Sequence, residues 1–223
     1  YNTTDFIYLG FNTKSGVFED PSLRLAVSKS FDRKKIIDEA FLGDALSATL
    51  PISPMFADVY DMYGKALVFD KAVSRNLISE VLKEDKTLRL LVNEENAARV
   101  TVANRIAESL MDTPLKVQVV SLPYGEYLTR LKKGEFDLFI CQAELTGDFA
   151  FGELFKSGGA LNFGKYYKSD FNNKLNLFML ASLEEVNEDS KMFYKAFTEE
   201  VPICPIAFKK HLLYVQKGAF TNI

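Results

Sequence analysis

The sequence predicts an α/β fold: a mixed, largely parallel sheet flanked by helices. Three observations predict it. Between Thr87 and Gln142, short apolar runs alternate with segments of helical period. The apolar runs are too short for helices, and their flanks carry turn or cap residues. Strands that alternate with helices in this way form parallel pairs with right-handed crossovers.

The central unit reads strand, helix, strand, helix, strand. Leu88, Leu90, Leu91 and Val92 form the first strand, ended by Asn93-Glu94-Glu95-Asn96. Val100, Ala103, Ile106, Ala107 and Leu110 recur on one helical face, and Pro114 stops that helix. Leu115 to Val119 alternates apolar and polar, the pattern of a half-buried strand. Tyr124, Tyr127, Leu128 and Leu131 give a second helix closed by Gly134, and Phe136 to Cys141 is a buried strand. Ligands of such sheets bind at the carboxyl ends of the strands. Here those ends are Asn93-Glu94, Ser121 to Tyr124, and Gln142 to Asp148.

Upstream, Phe6 to Asn12 is an aromatic-rich strand, and Thr13 to Glu19 a loop. Asp20-Pro21 starts a helix with its inner face on Leu23, Ala26, Val27 and Ser30. Asp32 caps the next helix, which Gly43 ends. Asp44 to Ala66 has no clean period and reads as a long excursion over the surface. Asp70 begins another helix through Leu82. Downstream, Gly147 to Tyr167 is rich in glycine and aromatics, and Phe171 to Leu183 and Glu184 to Glu199 are helices. Pro202 to Phe208 and Leu212 to Gln216 close as strands.

With 223 residues and 48% hydrophobic content, the chain can bury a sizeable core. A net charge of −3 offers no basic excess for a phosphate backbone, so no nucleic-acid partner is expected. Apolar runs fall short of the roughly 20 residues that cross a bilayer. No signal peptide is legible, and the chain opens on Tyr1-Asn2-Thr3-Thr4-Asp5 as if cut from something longer.

Catalytic patterns are sparse. The single histidine, His211, follows Lys209-Lys210 and reads as a surface or turn residue, and zinc spacing is absent. Neither GxGxxG, GxxxxGK[ST] nor GxSxG occurs, so no cofactor and no metal site is expected. Cys141 and Cys204 lie in apolar runs and read as buried unpaired thiols. Gly158-Gly159 reads as a flexible turn or a ligand-hugging loop.

Several strand-end residues read two ways. Glu144 and Asp148 are solvated acids or partners for a ligand ammonium. Tyr124 covers a helix start or forms a stiff amphipathic wall. Asn93 is a helix-entry residue or a hydrogen-bond donor to a ligand backbone. Glu94 and Glu95 read as solvated acids that help the start of a helix.

Five stretches in order carry a family resemblance: Tyr8 to Thr13, Phe18 to Arg24 leading into Ala26-Val27, Phe31 to Ile37, Tyr124 to Leu128, and Leu131 to Leu138. Together they closely resemble the extracellular solute-binding proteins of ABC importers, family 5, the peptide- and nickel-binding class. The resemblance covers almost the whole chain. It implies one lobe of a periplasmic-binding-protein-like (type II) fold. Residues 1–223 would be a single domain, the second lobe of a longer two-lobed protein. Phe6 to Asn12 would enter from the other lobe, and the segment after Val215 would return to it.

The implied function is capture of short peptides outside the cell, lipid-anchored or in the periplasm, and delivery to an ABC permease in the membrane. The expected partners are a short peptide, that permease and the other lobe. In peptide binders of this class an aromatic residue at the position of Tyr124 lines the pocket, and an aspartate beyond the third strand holds the peptide amino terminus. The family's Gly-Trp before that acid is absent here, which leaves the role open between Glu144, Asp148 and neither. Thr146, Asn93, Asn12 and Tyr166 complete the expected ligand-binding set. Arg24, Asp32 and Arg33 match the family pattern and read as a helix cap and packing ion pairs. A nickel, metal-chelate or other small-solute ligand is the variant within the family. The alternative of a different class is a stand-alone α/β enzyme using Cys141 or Glu144.

Overall fold

The computed structural model describes residues 2–14, 16–145, 151–180 and 187–210. In chain order the elements are strand β1 (Asn2–Phe11), a 3-10 turn at Gly16–Glu19, helices α1 (Pro21–Ser30) and α2 (Arg33–Ala40), and strand β2 (Ala45–Ser47). Then come α3 (Ala57–Met62), a second 3-10 turn at Gly64–Leu67, α4 (Lys71–Val81), β3 (Lys86–Asn93), α5 (Ala97–Leu110) and β4 (Leu115–Leu122). The chain continues with α6 (Tyr124–Lys133), β5 (Leu138–Glu144), α7 (Gly152–Phe155), α8 (Ser169–Leu180), α9 (Glu188–Glu200) and β6 (Ile203–Lys210). The expected strand from Leu212 to Gln216, and His211, lie outside the described residues.

Among the described residues the strands form one six-stranded sheet in the order β2-β6-β1-β5-β3-β4. β3 pairs in parallel with both β4 and β5, as the central pattern predicts. β1 is antiparallel to β5 and to β6, and β2 is antiparallel to β6. Hence β3, β4, β5 and β6 run one way, and β1 and β2 run the other. The sheet is mixed, with its parallel crossovers concentrated in β3–β5.

Local chemistry accounts for the element boundaries. Asp20 accepts from Ser22 N at 2.8 Å with Pro21 in the first turn. Asp32 accepts from Lys34 N, and Asp70 from Val73 N, at 3.0 Å each. Each cap satisfies a backbone donor that the helix itself leaves free. Gly134 ends α6 in the left-handed region (φ 73°), which a residue without Cβ adopts freely.

Two stretches differ from the sequence expectation. Residues 44–66 do not ride over the surface alone. β2 lies in the sheet, Leu50 and Ile52 are buried, and Tyr60 Oη donates to both of their carbonyls. The segment lacks periodicity because its buried residues pack from irregular backbone. Around Gly158-Gly159, backbone packing is the tight feature. A Cβ at Gly159 would fall 2.3 Å from the Glu153 carbonyl oxygen, while Leu161 N and Ala160 N bond to Glu153 O and Oε2. The glycine is needed for that close approach to α7.

The core runs through both halves. Gly10 sits opposite Phe139, and a Cβ there would meet the Phe139 ring at 2.0 Å. A second cluster joins Phe151, Phe155, Phe171, Phe178, Phe193 and Phe197 beneath α8 and α9, all buried.

Candidate functional site

The carboxyl ends of β3, β4 and β5 bring Asn93, Leu122 and Glu144 to one end of the sheet. Asn93 and Leu122 are in register, and Glu94 N bonds to Leu122 O at 2.9 Å. Glu144 is exposed and faces Asp5 across the β1–β5 pair. Lys209 lies 3.9 Å from Asp5. This end therefore carries carboxylates beside an ammonium.

Tyr124 opens α6 and is 55% exposed. Pro123 precedes it and has no side chain that caps, so the helix start lacks a local acceptor. The acceptor arrives from the next crossover: Glu95 Oε1 accepts from Tyr124 N at 2.9 Å. A negative charge there also opposes the positive end of the helix dipole. Glu95 Oε2 accepts from Asn93 Nδ2 at 2.7 Å. Glu95 is thus held below the ordinary glutamate range, first by the Tyr124 N–H, then by its own N–H and the Asn93 amide, with Arg99 adding its charge. By its sequence alone Glu95 reads as a solvated acid that helps the start of a helix. The signal that finds it is an acid at one strand end facing a helix whose cap position is proline.

Asn93 is buried, with Oδ1 lacking a hydrogen-bond partner, as does the buried Arg99 Nε on α5. Beneath them, Cys141 faces Tyr8 across β1. Burial pushes the Cys141 thiol up, while hydrogen bonding from Tyr8 and the charge of Arg99 work the other way. Burial likewise raises Tyr8 and Tyr127, whose hydroxyl donates to Ile140 O at 2.6 Å. Cys204 is also buried and unpaired, and burial raises its thiol.

Such thiols are poor nucleophiles. Both cysteines are expected to resist a thiol reagent at neutral pH in the folded chain and to react once denaturant is added, as site-resolved mass spectrometry would read. Rapid labelling of Cys141 in the folded chain would revive the thiol-enzyme alternative.

Of the remaining expected ligand residues, Thr146 and Asp148 lie outside the described residues. Asn12 and Tyr166 are not brought to Tyr124. Asn12 Nδ2 donates to Phe136 O at 3.0 Å and Asn12 N to Asp137 O at 2.9 Å, at the amino end of β5. Asn12 follows the carboxyl end of β1, but β1 runs antiparallel, so that end lies at the opposite pole. Tyr166 is at that pole too. It is 5% exposed, its ring lies 5.7 Å from the Arg24 guanidinium, and its hydroxyl donates to Glu200 Oε2 at 3.4 Å.

Arg24 and Arg33 are structural, as expected. Arg24 pairs with Glu200 at 3.7 Å and donates to the Phe18, Glu19, Glu200 and Val201 carbonyls. Arg33 is held by carbonyls, a hydroxyl and a thiol in place of the expected ion pair. Among the described residues, no three His, Cys, Asp or Glu side chains are grouped to hold a metal ion.

Known proteins share this fold. The profile of bacterial extracellular solute-binding proteins, family 5 middle, matches residues 1–150. A heme-binding protein A of Haemophilus influenzae is 24% identical over 173 residues, 74% of this chain and 31% of that protein. A di/tripeptide-binding protein 2 of Pseudomonas aeruginosa is 27% identical over 139 residues, 60% of this chain and 26% of that protein. The matched stretches thus span under a third of these relatives. Among solved structures, the oligopeptide-binding protein AppA of Bacillus subtilis, in complex with a nonapeptide, superposes with a TM-score of 0.78 at 18% identity. That superposition covers 94% of this chain and 45% of the other, and it shows the fold. The mixed sheet, its crossovers and the profile match over two-thirds of the residues lead to one assignment: the chain belongs to the bacterial extracellular solute-binding proteins of family 5.

Proposed function

We propose that this chain is the second lobe of a two-lobed solute-binding protein. In this reading it captures short peptides outside the cell and delivers them to an ABC permease. The observation that carries the reading is the carboxyl end of the sheet, where the exposed Tyr124 ring and the exposed Glu144 carboxylate belong to neighbouring crossovers. An aromatic wall with an unsheathed acid suits a peptide chain that begins in an ammonium. The peptide-binding relatives support the same ligand class. The lobe assignment is supported by the partial coverage of longer relatives and by the sheet itself. Asn2 at the start of β1 faces Lys210 at the end of β6, at the same end as Glu144. Two chain crossings to another lobe would therefore sit side by side next to the ligand face. The full protein would be lipid-anchored on the outer face of the membrane or periplasmic.

A thermal-shift screen tests this reading, run on the chain and on its longer parent. The ligands are peptides of two to eight residues, nickel–histidine, heme and common sugars. A peptide at about 100 times its dissociation constant adds about 2.7 kcal/mol of stability. Glu144→Ala is expected to weaken that peptide by about tenfold, the worth of one charge-assisted hydrogen bond. A shift with heme or nickel–histidine and none with peptides would overturn the peptide assignment.

A further inference from the structure

We propose that Glu95 is a positioning residue. Its single carboxylate locks the Asn93 amide and the first turn of α6 into one unit, so that Asn93 offers its carbonyl oxygen to an N–H donor of the ligand. The proposal rests on the ligand-binding reading of this end of the sheet and adds to it the chemistry of one contact.

Donor counting carries the argument. An ionised carboxylate accepts hydrogen bonds and donates none. Glu95 Oε2 lies 2.7 Å from the Asn93 side-chain amide, so the amide nitrogen must face Glu95 and Oδ1 must face away. The other carboxylate oxygen is occupied by Tyr124 N at 2.9 Å. Turning the Asn93 amide over would set two acceptors against each other. The orientation therefore holds for as long as Glu95 is ionised.

Asn93 is 4% exposed, and Oδ1 has no hydrogen-bond partner. A buried carbonyl oxygen in that state gains from a donor and not from another acceptor. A peptide N–H or an ammonium fits, and a ligand carboxylate does not. This reverses the donor role, one of the two roles that the sequence allows Asn93.

The same carboxylate supplies the cap that Pro123 withholds, so the backbone that carries Tyr124 is anchored to the residue that carries the acceptor. The charged group facing Glu95 from α5 is Arg99. From α6 it meets the Tyr124 N–H, and Glu94 is its chain neighbour. These contacts favour the ionised carboxylate and so lower the folded-state pKa of Glu95, the Tyr124 N–H contributing most. The lock is complete above the ordinary glutamate range and is lost as pH falls through the lowered value.

The test is a pH titration of the 223-residue chain by nuclear magnetic resonance, following the Tyr124 backbone N–H and the Asn93 side-chain amide. The expected result is that both move together, with one midpoint below the ordinary glutamate range. In Glu95→Gln that shared transition disappears, because a carboxamide does not ionise in this pH range. Separate midpoints, or a transition that survives Glu95→Gln, overturns the proposal.

The second arm measures trialanine binding. Wild-type affinity is expected to fall about tenfold in Glu95→Ala. Equal affinity in the two proteins overturns the positioning role. If trialanine does not bind the wild type, that result counts against the peptide reading, and the titration still decides the role of Glu95.

Discussion

Phe193→Ala is expected to lower the stability of the chain by about 3–5 kcal/mol, read as a fall in the urea midpoint at unchanged slope. Phe193 is fully buried on α9 and is the hub of the second aromatic cluster. Its ring stacks on Phe178 at 4.6 Å and on Phe151 at 5.7 Å, and meets Tyr194 at 5.3 Å and Phe171 at 5.6 Å. Truncation removes the transfer energy of the ring and leaves a cavity lined by rigid rings that cannot collapse into it. Phe193→Leu, which keeps most of the volume, should cost less than about 1.5 kcal/mol. A loss below about 1 kcal/mol for the alanine variant would mean that α8 and α9 do not pack through this residue.

Arg33→Ala is expected to cost a similar amount, about 3–5 kcal/mol, by a different mechanism. The guanidinium is 3% exposed and ties three separated parts of the chain together. It donates to Pro205 O at 2.8 Å on β6, and to Ser28 O and Leu67 O at 3.1 Å each. It also reaches Ser28 Oγ and Cys204 Sγ, and its carbon lies 4.9 Å from the Phe31 ring centre. Removing it leaves several buried carbonyls without a donor, at about 1–3 kcal/mol each before relaxation. Arg33→Lys should recover little, because a point ammonium cannot span the fork of acceptors. Hydrogen exchange gives a second readout. Amides around Leu67 should lose protection before those of β3 and β4, because Arg33 donates to the Leu67 carbonyl and makes no contact of that kind to β3 or β4. Near-wild-type stability in Arg33→Ala would show that the carbonyls find other donors.

The parallel unit was legible because its signals are local. Leu88 to Val92 and Leu115 to Val119 announce strands by run and alternation, while Asp20, Asp32, Asp70 and Gly134 mark helix ends by chemistry acting within a few residues. The placing of Tyr124 and Glu144 at the carboxyl ends of β4 and β5 was legible for the same reason, since run and turn signals mark where each strand stops. Strand direction was not local. The chemistry within Phe6 to Asn12 is the same whether β1 runs with β5 or against it, yet that choice sends Asn12 to the opposite pole from Tyr124. Tyr166 was misplaced similarly, since nothing near it in sequence announces its contacts with Arg24 and Glu200.

By itself, then, the sequence determined the alternating crossovers, the helix caps, the buried thiols and the family, all of which depend on period, cap chemistry and ordered motifs. Only the tertiary structure decided the antiparallel entry of β1, the burial of residues 48–53, and the bridge from Glu95 to Asn93 and Tyr124. Those features join residues far apart in the chain or across a crossover. Their energies come from burial and donor–acceptor pairing that exist only once the sheet has brought the strand ends together.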